Sequence, residues 1–124
     1  MKTYTNLSES NELLSNYIGA TAQIYVFSIT HKRLAIRLKL PKKDEVLYLV
    51  AVGCKRINGD FYWKDANLSI VELISDGEDT TKIIDNSGDF ELISLGGFSI
   101  LQGREEEFGT SFDNFILDKS DLAK

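Results

Sequence analysis

The chain has 124 residues, 43% of them hydrophobic and 27% charged, a composition that suits one folded core and excludes a disordered chain. Its net charge of −5 conceals an asymmetry: residues 1–64 carry ten Lys/Arg against five Asp/Glu, and residues 65–124 carry four against fourteen. A sequence pI of 4.8 argues against the basic domain expected of a nucleic-acid binder and points toward a basic partner for the acidic half.

A single cysteine, Cys54, excludes an internal disulfide framework and fits a reducing compartment. Residues 1–6 run into Ser and Glu with no apolar stretch of the kind a secretory signal needs. The longest apolar run, Val46 to Val52, is far shorter than the roughly 20 residues that span a bilayer as a helix. The expectation is a cytoplasmic protein without a membrane segment, organised as one domain over 1–124, with a helix at about 7–18 and a β domain at about 20–118.

Asn6 stands three residues before Glu9, a capping pair that predicts a helix over Leu7 to Ile18 stopping at Gly19, with Leu7, Leu14 and Ile18 on one stripe beside Leu13 and Tyr17. From Ala20 the texture changes to short β-branched and aromatic runs between turn residues. Gln23 to Ile29 and Leu34 to Leu40 flank a turn at Thr30 to Arg33. In the second run Leu34, Ile36, Leu38 and Leu40 alternate with Ala35, Arg37 and Lys39, so one face is buried and the other wetted. Glu45 to Val52 is apolar at nearly every position, which predicts a central strand covered on both faces.

Asn58-Gly59 predicts a type I′ hairpin with Phe61, Tyr62 and Trp63 as its return strand. Asn67 to Ser75, Thr81 to Asp85, Phe90 to Leu95, Phe98 to Gln102 and Phe112 to Leu117 complete the strands, separated by Asp-Gly, Asn-Ser-Gly and Gly-Gly turns. The fold class is mainly β, α+β only by its small N-terminal helix: an antiparallel β-sandwich or partly open barrel with one helix packed on it. Ile36, Leu38, Leu47, Leu49, Ile70, Leu92 and Ile100 are the expected core.

The candidate chemistry thins out under inspection. Asp85 to Asp89 has acids around a glycine, but Phe90 and Gly96 occupy the positions where a calcium loop needs glycine and glutamate, so a turn is the better reading. His31, the only histidine, sits in an expected turn beside two cations, Lys32 and Arg33, with no adjacent carboxylate to orient it as a base. Cys54, beside Lys55 and Arg56, is either an activated thiol or a small buried hydrophobe, the second fitting the usual behaviour of free cysteine. Gly96-Gly97 lacks the spacing of a phosphate loop. No catalytic residue, metal site or cofactor is assigned, and enzymatic activity is not expected.

Two binding surfaces remain. The first is acidic: Glu105, Glu106 and Glu107 with Glu78 and Asp79, presented by a protein-interaction module to a basic protein partner. The second is basic: Arg37, Lys39, Lys55 and Arg56 with Trp63, a set suited to an anionic ligand or single-stranded nucleic acid. Phe61 and Trp63 would otherwise share one face as core anchors. An exposed sheet edge would also permit homo-oligomers. In size and acidity the chain resembles small bacterial interaction proteins, immunity proteins among them, through composition and not through a motif.

Overall fold

The computed structural model describes residues 2–30 and 32–108; His31 and the strand expected at Phe112 to Leu117 lie outside the described residues. The chain runs β1 (Lys2–Tyr4), α1 (Leu7–Ser15), β2 (Ala20–Ser28), β3 (Arg33–Lys39), β4 (Glu45–Ala51), β5 (Cys54–Asn58), β6 (Tyr62–Ala66), β7 (Leu68–Ser75), β8 (Glu78–Asp85), β9 (Glu91–Ser94) and β10 (Phe98–Arg104), followed by a 3-10 turn at Glu105–Glu107. These strands form two packed sheets, one in the order β1-β10-β4-β3-β2-β6 and one in the order β5-β9-β8-β7. Neighbouring strands are antiparallel throughout. Among the described residues the result is an open sandwich with one α-helix, not a closed barrel.

The helix begins as its sequence dictates, with the Asn6 side chain accepting the Glu9 backbone N–H at 2.9 Å. It stops at Ser15, one turn short of expectation, because Asn16 caps it and donates back to Leu13 and Leu14. Residues 16–19 then form turns, which swing Ile18 out to 54% exposure while Leu14 and Tyr17 enter the core.

The main core lies between the sheets and contains all seven of the residues expected there: Ile36, Leu38, Leu47, Leu49, Ile70, Leu92 and Ile100. A second cluster covers the opposite face of β4, where Val46, Tyr48 and Val50 meet Ala35, Leu101 and Phe108. Phe108 tilts onto Tyr48 with ring centroids 4.1 Å apart. Continuous hydrophobicity along β4 is thereby explained, since each face has its own apolar cover.

Asn58-Gly59 does not close a hairpin. β5 pairs with β9 in the smaller sheet, whereas β6 pairs with β2 in the larger one, so the dipeptide carries the chain from one layer to the other. Glycine is required there by proximity: a Cβ on Gly59, whose φ is +140°, would lie 2.7 Å from the Phe90 ring. The two-residue hairpin forms instead at Asp76-Gly77, both at positive φ (52° and 78°), with Ser75 opposite Glu78. Phe61, expected in the core with Trp63, precedes β6 and is 77% exposed.

Candidate functional site

The two surfaces expected from the sequence meet at Glu105. The 3-10 turn after β10 places its carboxylate over β3, where Oε1 accepts from Arg37 Nη1 at 3.3 Å and from Lys39 Nζ at 3.0 Å. The Lys39 hydrogen bond holds the Glu105 carboxyl below the usual carboxylate range, outweighing the opposing effect of burial, and the charges of Lys39 and Arg37 add to it. Arg37 also donates to Gln23 at 2.7 Å and lies 5.1 Å from the centre of the Tyr25 ring. Arg37 is thus held by three neighbours on the outer face of the larger sheet.

The other two glutamates of the run are also committed locally. Glu106 stands 3.9 Å from Arg104, and Glu107 accepts the Arg104 backbone N–H at 2.9 Å. That backbone hydrogen bond leads the causes that depress the Glu107 carboxyl.

The remaining members of the basic set are not gathered beside Arg37 and Lys39. Lys55 and Arg56 sit on β5, at the edge of the smaller sheet. Trp63, paired with buried Ala22, faces the interior side of β6, while Tyr62, paired with Gln23, shares the outer face with Arg37. Trp63 stacks on Phe90 at 4.5 Å and donates Nε1–H to Asp85 at 2.7 Å. Asp85 also accepts the backbone N–H groups of Asn67 and Ser87, so the carboxylate at the head of the turn that resembled a calcium loop is engaged in holding this corner.

Cys54 is half-buried and its Sγ lies 3.6 Å from the Ala51 carbonyl. Burial pushes the thiol up to about 11 despite the adjacent cations, the opposite of an activated nucleophile.

Glu78 and Asp79 open β8 immediately after the Asp76-Gly77 turn. Because successive side chains alternate, they point to opposite faces of the hairpin. Glu78 shares a groove of about 250 Å³ on the outer face with Arg56, Lys82, Ile93 and Leu95. Asp79 shares a groove of about 380 Å³ with Glu72, Leu73, Ile74 and Thr81, among whose lining residues there is no cation. Among the described residues none of Glu72, Asp76, Glu78 and Asp79 makes an ion pair; Lys82, the nearest cation in sequence, is drawn to Glu91 at 3.2 Å.

Ile74 and Leu73 escaped the sequence reading as surface residues. Ile74 is 73% exposed and Leu73 37%. The signal was present in β7: Leu68 and Ile70 point inward, and the next inward position is Glu72. The strand therefore outruns the core before Ile74 is reached.

No described helix is long and apolar enough to cross a membrane. Comparison of the chain with protein-family models, with curated proteins and with solved structures finds no match.

Proposed function

We propose that the chain is a protein-interaction module that offers the acidic end of the β7–β8 hairpin to a basic protein partner. The observation that carries this reading is the contrast between the two acidic groups. Glu105 and Glu106 face cations of their own chain, whereas Glu72, Asp76, Glu78 and Asp79 surround exposed Leu73 and Ile74 without an ion pair among the described residues. Unpaired carboxylates steer a cationic surface toward the site, and adjacent apolar side chains give the docked state a desolvated contact. The acidic surface of the proposal is accordingly centred on Glu78 and Asp79 more than on Glu105, Glu106 and Glu107.

The basic alternative has less to support it, because Arg37 and Lys39 share Glu105. Retention of the protein on immobilised polylysine and on an immobilised oligonucleotide, at low and moderate salt, tests both readings. Glu78→Lys with Asp79→Lys should abolish polylysine retention, while Glu105→Gln leaves it largely intact. Retention on the oligonucleotide alone, lost with Arg37→Glu and Lys39→Glu, would overturn the proposal in favour of an anionic ligand.

A further inference from the structure

We propose that the free edge of β7 receives an extended basic segment of the partner as an added strand across Glu72 and Ile74. The inference rests on the acidic hairpin being the docking surface and specifies how docking occurs. In an antiparallel ladder the N–H and C=O of one residue point to the same side, and those of the next residue point to the other. Ile70 fixes the phase of β7. Its N–H donates to Asn11 Oδ1 at 2.8 Å and its carbonyl accepts from Asn11 Nδ2 at 2.9 Å, both away from β8. A side-chain amide of α1 thus occupies one rung of this edge just as a neighbouring strand would.

Two residues on, the same phase turns the backbone groups of Glu72 and Ile74 outward, while Ser75 faces Glu78 to close the hairpin. α1 does not reach them through any hydrogen bond among the described residues. Among the described residues β7 ends the smaller sheet and no strand or side chain takes these rungs, and Glu72 and Ile74 are both exposed.

Charge selects the occupant. Antiparallel pairing of β7 with β7 of a second copy centred on Glu72 would set the two Glu72 carboxylates against each other, which is unfavourable for like charges across a ladder. A basic segment meets the opposite condition. It is also turned away from the other edge of the same sheet, where β5 carries Lys55 and Arg56. The added strand would set a Lys or Arg against Glu72 and, two positions along, an apolar residue against Ile74, since side chains two apart share a face.

The probe is a short synthetic peptide of alternating Lys and Val, with its Glu–Val counterpart as control. Amide exchange followed by NMR should show the Glu72 and Ile74 N–H groups at least about tenfold slower with saturating Lys–Val peptide. Ile74→Pro removes one outward N–H at an edge position where proline is tolerated. It should weaken the peptide at least about tenfold relative to Ile74→Thr, both variants being verified as folded by circular dichroism. Binding with unchanged exchange at Glu72 and Ile74, or equal affinity for the two variants, would overturn strand addition while leaving the acidic surface as a docking site. Equal binding of the Glu–Val peptide would overturn the charge selection. Absence of Lys–Val binding also overturns the inference, and the underlying reading falls with it only if polylysine retention is lost as well.

Discussion

Trp63 and Asp85 form a polar link between the layers: the indole of β6, the last strand of the larger sheet, donates to a carboxylate at the end of β8 in the smaller one, at 2.7 Å. Stacking of Trp63 on Phe90, and of Phe90 against Gly59, surrounds the bond with apolar contact. The corner therefore locks the crossing at 59–61 to the turn at 86–89. Trp63→Phe keeps the ring and deletes the donor, leaving one carboxylate oxygen of a buried Asp85 without its indole. A loss of about 1–3 kcal/mol is expected in urea unfolding. Trp63→Ala, which also empties the stack, should cost about 3–5 kcal/mol.

Leu49, fully buried in the core between the sheets, provides the reference for apolar packing. It sits on β4 between Ile36 of β3 and Ile100 of β10, both buried. Leu49→Ala should cost about 2–5 kcal/mol by equilibrium unfolding, because neighbours held in two ladders cannot close the space. A loss below about 0.5 kcal/mol, the size of a surface substitution, would contradict this placement.

Glu105 contributes acid-sensitive stability. Its folded carboxyl titrates below the ordinary range through Lys39 and Arg37, so the ionised form is favoured by folding. The contribution is fully present above the unfolded pKa and disappears as pH falls through the lowered folded value. The pair is partly exposed, so Glu105→Gln should cost no more than about 1 kcal/mol at pH 7. Once the pH lies below that lowered folded value, where the wild-type carboxyl is protonated in both states, variant and parent should converge in thermal melts.

Cys54 titrates in the opposite sense. Burial raises its folded value from 9.0 to about 11, so folding favours the neutral thiol. The associated stability is complete below the unfolded value and is lost between about pH 9 and pH 11. Alkylation by iodoacetamide at pH 8 should be slower than for a free thiol and accelerate only as pH approaches the raised value. Rapid labelling at pH 7 in the folded protein would contradict the burial of the sulfur.

Elements carrying a local signature were legible in the sequence. The Asn6 side chain starts α1 because its oxygen can reach the Glu9 N–H in any chain with that spacing. β3 alternates and β4 does not, and the burial of each follows except at Ala35, which lies on the expected wetted face of β3 but is fully buried under the second cluster. The acids around the β7–β8 turn were visible as charges, and Glu78 and Asp79 among them as a candidate surface, but that none of them forms an ion pair with a cation of the described residues was not. Nothing in Glu105-Glu106-Glu107 says that Lys39 and Arg37 will arrive from 66 and 68 residues away to take the first of them.

Periodicity, capping and turn chemistry act over a few residues, and these the sequence determined by itself: a short helix, mostly antiparallel strands, and a core drawn from the alternating apolar positions. Strand partnership acts through backbone groups that every residue shares, so only the tertiary structure decided that β5 joins β9, that β6 joins β2, and that Asp76-Gly77 rather than Asn58-Gly59 closes a hairpin. The same reason applies to the edge of β7. Its rungs at Glu72 and Ile74, unfilled among the described residues, come from which described strand ends the sheet and where Asn11 reaches, and a linear pattern of side chains records neither.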